Sequence, residues 1–136
     1  MTLPDDRPPG RAVLIVEDSE NNAATMELAL LGIPGLSMLF AHTGLEALRI
    51  MDQPGSSVAA IITDLNMPRM DGFELIRRVR ENGRLSGVPI IVVSADTDPD
   101  TPARIAQMKV DAFFAKPFSP AQVRRTLEQL LDVTTS

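Results

Sequence analysis

Four places in this sequence set reactive side chains directly behind apolar runs. Glu17 and Asp18 follow Ala12–Val16, and Asp64 and Asn66 follow Val58–Thr63. Ser94 follows Val88–Val93, and Lys116 follows Ala112–Ala115. If these run ends meet, three carboxylates, one hydroxyl and one ammonium share a site. Clustered carboxylates raise one another's pKa unless a cation sits among them. A hard divalent ion with oxygen ligands resolves that conflict, and Mg²⁺ does so while keeping waters for a phosphate. An Asp in such a cluster is an oxygen nucleophile toward phosphorus, which yields an aspartyl phosphate. Phosphoryl transfer asks for charge stabilisation above all, and the Lys116 ammonium with the Ser94 hydroxyl would contribute it.

Whether the ends meet depends on the elements that carry them. Runs one, three and four are almost continuously apolar, as strands buried on both faces of a parallel sheet are. A fifth run, Leu36–Ala41, lies between the first and third. Helix signals separate the runs. Thr43–Glu46 and Ser119–Gln122 match the capping box, and Asp71 with Glu74 has the same spacing. Asp98-Pro99 sets a cap residue before a Pro at the first helical position. The first helix, roughly Ser19 to Leu31, turns Met26, Ala29 and Leu30 inward, and the last carries a stripe of Val123, Leu127, Leu130 and Leu131. Strict alternation of five βα units predicts an α/β fold, a doubly wound five-stranded parallel sheet. Folds of that kind place their sites at the carboxyl ends of the strands, where these side chains fall.

The bulk properties agree. A chain of 136 residues suits a single domain, and 44% hydrophobic content supplies a core without staples. The absence of Cys removes disulfides and thiolate chemistry and suits a reducing, cytoplasmic setting. A net charge of −5 gives no global attraction to nucleic acid or anionic lipid. No apolar run approaches the roughly 20 residues that span a bilayer, so membrane insertion is not expected. Residues 1–10 read as a disordered, Pro-rich leader, 11–132 as the domain, and 133–136 as a short tail. His42 is the only histidine and finds no second His or Cys for a zinc set. Arg77, Arg78, Arg80 and Arg84 read as a solvated basic face.

The ordered set Glu17-Asp18, Asp64-x-Asn66-Met67-Pro68, Ser94-Ala95 and Lys116-Pro117-Phe118 resembles the receiver domain of two-component response regulators, of the stand-alone chemotaxis type. It spans about residues 11–132. The resemblance implies a flavodoxin-like topology and assigns roles by position. Asp64 is the phosphoacceptor. Asp18 ligates Mg²⁺ directly, Glu17 acts through water, and Asn66 lends its backbone carbonyl. Lys116 pairs with the phosphoryl group, and its bond to Pro117 is cis. Ser94 and Phe113 form the switch pair. The phosphoryl group would come from a sensor histidine kinase or a phosphotransfer protein contacting Asn21, Asn22 and Thr25. With five residues after Leu131, output is expected through binding a downstream protein, with homodimer formation on activation open.

Departures from the family pattern are Glu17 for the usual Asp, Ser94 for Thr, Phe113 for Tyr, and Lys109 where Gly often ends the fourth helix. Two rivals remain at this stage. One is a pseudo-receiver that binds partners without phosphorylation, against which Asp18, Asp64 and Lys116 speak. The other is a haloacid-dehalogenase-type phosphatase, which wants a second Asp where this chain has Asn66.

Overall fold

The structure, a computed structural model, describes residues 11–53, 57–67 and 69–132. The expected leader, the tail and Pro68 lie outside the described residues. Strands β1 (Arg11–Val16), β2 (Leu36–Ala41), β3 (Val58–Thr63), β4 (Ile90–Ser94) and β5 (Ala112–Ala115) alternate with five helices. These are α1 (Glu20–Leu30), α2 (Gly44–Asp52), α3 (Gly72–Glu81), α4 (Thr101–Gln107) and α5 (Pro120–Leu131). Every strand pair is parallel, and the order is β2-β1-β3-β4-β5. The chain steps outward from β1 in one direction to β2 and in the other to β3. That reversal opens a crevice beyond the carboxyl ends of β1 and β3.

Strand alternation divides the core into two layers. Val13, Ile15, Ala60, Ile62, Ile91 and Val93 pack with Met26 and Leu30 of α1 and Val123, Leu127 and Leu131 of α5. Leu14, Val16, Ile61, Ile90 and Val92 face the other way, toward α2, α3 and α4. With both faces covered, the central strands have no solvent side. Each fully buried Leu or Ile contributes about 1.5–3 kcal/mol, and the near-continuous apolar runs follow from that. Among the described residues no helix is long and apolar enough to cross a membrane.

Helix starts obey the sequence codes where a side chain reaches the third amide onward. Ser19, Thr43, Asp71 and Ser119 each accept a hydrogen bond from the backbone N–H three residues on. α4 is the exception and corrects the sequence reading. Its N-cap is Asp100, whose side chain makes no capping bond, and the helix begins two residues later than Asp98-Pro99 implies. Asp98 instead builds the turn before it, accepting Asp100 N–H on Oδ1 at 2.9 Å and Thr101 N–H on its carbonyl at 3.1 Å. β4 likewise starts at Ile90 and ends at Ser94, not Val88 to Val93. Pro89 has no N–H for the ladder; only its carbonyl takes part, accepting from Ile61 at 2.9 Å.

Two of the four arginines read as a solvated face belong to the scaffold. Arg80 reaches over to the carbonyls of Ser86 (2.9 Å), Val88 (2.6 Å) and Lys109 (2.6 Å). Arg84 donates to the Met51 carbonyl at 2.6 Å. Arg77 and Arg78 do stand on the exposed face, paired with Glu74 and, for Arg77, with Glu81. Lys109 takes the left-handed conformation itself, with φ of 58°.

Candidate functional site

The site forms at the crevice between β1 and β3. β1 delivers Glu17 and β3 delivers Asp64, both 7% exposed. β5 lies two strands from β3, yet the length of Lys116 carries its Nζ to 2.7 Å from Glu17 Oε1 and 2.7 Å from Asp64 Oδ2. The second oxygen of Asp64, Oδ1, accepts the Asn66 N–H at 3.1 Å. Glu17 Oε2 accepts the Ser19 N–H at 3.2 Å. Residues from positions 17, 64 and 116 are thus joined by one ammonium. The Lys116-Pro117 peptide is cis.

The electrostatics follow from burial. Loss of water raises the Glu17 pKa, and hydrogen bonds from Lys116 and Ser19 only partly offset this. Burial would also discharge Lys116, but its hydrogen bonds to Asp64 and Glu17, with their charges, outweigh that and raise its pKa. Lys116 therefore stays charged through neutral pH. A raised lysine value stabilises the fold below about pH 10.5, and that contribution is lost only as pH climbs through the higher folded value. One positive charge among two buried carboxylates leaves the crevice net negative.

That residual charge, and a donor set made of oxygen, suit a hard divalent cation. Glu17 and Asp64 are buried at the crevice and Asn66 joins them through its N–H, but Asp18 is exposed to solvent. Among the described residues no three His, Cys, Asp or Glu side chains are gathered so as to hold a metal ion. The expected convergence of three carboxylates is therefore realised for two. A third carboxylate drawn beside a single ammonium would meet repulsion, whereas in solvent Asp18 keeps its hydration.

Ser94 closes β4 completely buried, and its Oγ accepts the Asp96 N–H at 3.1 Å. Phe113 pairs in register with Val92 and packs, half-buried, on the layer that includes Ile90, Val92 and Ile105. Phe114 packs on the opposite layer, as strand alternation requires. His42 takes no part in the crevice; its N–H is held by Glu46 at the start of α2.

Two crevice residues escaped the sequence reading. Thr63, fully buried, donates its hydroxyl to the Asp64 carbonyl at 2.9 Å. Gly72, the first residue of α3, lies so close that a Cβ there would stand 2.3 Å from the Asp64 carbonyl oxygen. A Thr inside a strand and a Gly behind a capping Asp have ordinary local explanations, so neither announces a contact made only in the fold.

A 2-1-3-4-5 parallel sheet with a lysine-bridged carboxylate pair at its reversal point places the chain among the doubly wound α/β folds. The sequence profile of the response regulator receiver domain matches residues 13–128, and the chain belongs to that family, the receivers of two-component signalling. Among relatives, chemotaxis protein CheV1 of Helicobacter pylori is 32% identical over 90% of this chain but only 39% of its own length. Chemotaxis protein CheY1 of the same species is 29% identical over 88% of this chain and 95% of its own. Among solved structures, a response regulator receiver protein from Pseudomonas putida superposes with a TM-score of 0.79 at 29% identity, covering 90% of this chain and 99% of the other. Chemotaxis response regulator CheY4 of Vibrio cholerae gives 0.76 at 28% identity, covering 89% and 98%.

Proposed function

We propose that this receiver accepts a phosphoryl group on Asp64 from a phosphohistidine, borne by a sensor histidine kinase or a phosphotransfer protein in the cytoplasm. The observation that carries the reading is the Lys116 ammonium at 2.7 Å from both Asp64 and Glu17. An Asp64 oxygen forms the new bond to phosphorus while the bond from phosphorus to the imidazole nitrogen breaks, and the imidazole leaves with that electron pair. Lys116 neutralises charge on the arriving group, and the Asn66 N–H orients the carboxylate. Glu17, Asp18, Asp64 and the Asn66 carbonyl are the residues that would hold Mg²⁺. Bound there, the ion supplies charge neutralisation for phosphate oxygens.

Access for the donor is available beside Lys116, where a surface groove of about 410 Å³ is lined by Asn22, Thr25, Ala95, Lys116, Pro117 and Phe118. The switch reading for Ser94 and Phe113 also has support. Asp96 N–H bonds to Ser94, Asp98 N–H to Asp96 and Asp100 N–H to Asp98, a ladder that ends at the cap of α4. A Ser94 hydroxyl drawn to a phosphoryl oxygen gives up the first rung, which loosens the approach to α4. Phe113 then repacks on that face and alters what a downstream protein, or a second copy of the chain, meets there.

Beryllofluoride with Mg²⁺, a mimic of the bound phosphoryl group, tests the reading. Backbone resonances around Asp64, Ser94 and Phe113 shift in the wild type and stay still in Asp64→Ala. Silence in the wild type, or the same shifts in both, would sink it.

A further inference from the structure

We infer that Thr63 and Gly72 are positioning residues for phosphoryl transfer, fixing the peptide from which the Asp64 carboxylate projects. The inference rests on Asp64 being the phosphoacceptor. Asp64 is the first residue after β3, where the ladder no longer dictates its backbone. Three contacts take over that task. Its N–H donates to the Val16 carbonyl at 3.2 Å, which ties it to β1 beside Glu17. Its carbonyl accepts the Thr63 hydroxyl at 2.9 Å, in a setting where Thr63 is fully buried. The next carbonyl, that of Leu65, accepts the Gly72 N–H at 2.8 Å.

Gly72 adds a steric wall to this grip. A Cβ at that position would fall 2.3 Å from the Asp64 carbonyl oxygen and 2.7 Å from the Leu65 Cα. Both are backbone atoms, with no flexible side chain to swing aside. Glycine is needed here for space and not for a positive φ, since Gly72 is absent from the residues with that conformation. The α3 N-terminus and the Asp64–Leu65 peptide are therefore in direct contact, and neither moves without the other. Carboxylate orientation matters because a nucleophile displaced by about 1 Å loses on the order of 100-fold in rate. The Thr63 hydroxyl is the softer of the two restraints and Gly72 the harder.

Thr63→Val keeps the shape and removes the hydroxyl, while Thr63→Ser keeps the hydroxyl and removes buried methyl contact. Both changes cost stability, the first by taking a donor from the Asp64 carbonyl and the second by losing packing, so the rate is read beside the midpoint. The experiment uses the whole chain with Mg²⁺ and a small acyl phosphate, acetyl phosphate, as donor, and measures the maximal phosphorylation rate beside the thermal midpoint. Thr63→Ser is expected within about 2-fold of wild type despite the lower midpoint. Thr63→Val is expected to be slowed about 10-fold, and Gly72→Ala more than that. The loss lies in the maximal rate and not in the donor concentration for half-saturation, because the docking surface is untouched. Rates that simply follow the midpoints across the variants, or a Val variant as fast as wild type, overturn the inference. A wild type that takes no phosphate defeats the proposed function instead, and the two failures are told apart by that control.

Discussion

Lys116 is the hinge of the site at the residue scale. It sits between two carboxylates that would otherwise face each other in a crevice with little water, and their hydrogen bonds and charges raise its own pKa. Its removal changes two quantities in opposite directions. On the proposed reading Lys116→Met removes the charge that stabilises the transferring group, and phosphorylation of Asp64 is expected to fall by about 100-fold in a rate assay with acetyl phosphate. The same variant frees Glu17 and Asp64 from a competing ammonium. Mg²⁺ therefore raises the thermal midpoint of Lys116→Met by more than it raises that of the wild type, read from a titration of midpoint against Mg²⁺ concentration. An equal or smaller response in the variant would mean that the ammonium and the ion do not share these carboxylates. Glu17 was legible as a charge at the right place, but its reach to Lys116 was not. Nothing in a pair of adjacent acids says which one faces inward, and the fold buries Glu17 and leaves Asp18 in solvent.

At the scale of elements, the parts that were legible are those set by local chemistry. Capping side chains at Ser19, Thr43, Asp71 and Ser119 mark their helices from sequence alone, because the bond they make spans only three residues. α4 was misplaced because Asp98 and Asp100 both offer capping chemistry, and a run of turns decides between them. The end of α4 is also non-standard. Lys109 holds a conformation that favours glycine, and Lys109→Gly is expected to stabilise the domain by about 0.5–1 kcal/mol in urea unfolding. Arg80 explains how the chain tolerates this end: its guanidinium grips the Lys109 carbonyl together with those of Ser86 and Val88. Its side chain is 15% exposed, so these bonds are shielded from competing water. Arg80→Ala should cost about 1–3 kcal/mol by the same measurement, with the three carbonyls left to find other partners. A loss within about 0.5 kcal/mol would return Arg80 to the class of ordinary surface residues. The role of Arg80 was hidden because its partners lie up to 31 positions away in sequence.

For the whole molecule, the decisive property is the strand order. A chain with the same five βα units wound in one direction only would have no reversal point, and the ends of β1 and β3 would not frame a crevice. Alternation predicts the parallel sheet, since strands buried on both faces must be apolar throughout. Order among the strands came through the family resemblance, and it matches the observed β2-β1-β3-β4-β5 arrangement. With that order in place, Glu17, Asp64 and Lys116 meet although 99 positions separate the first from the last. The two apolar layers lie beneath the strand ends that carry the site. The proposed role of this crevice is to make one carboxylate of the molecule react with phosphorus. Intact-mass measurement after incubation with Mg²⁺ and acetyl phosphate tests it most directly. A single phosphoryl group is expected to be gained and to map to Asp64 by peptide analysis, with no gain when Mg²⁺ is chelated during the incubation or when Asp64 becomes Ala. A wild type whose mass stays unchanged, or one modified equally well in Asp64→Ala, would contradict it.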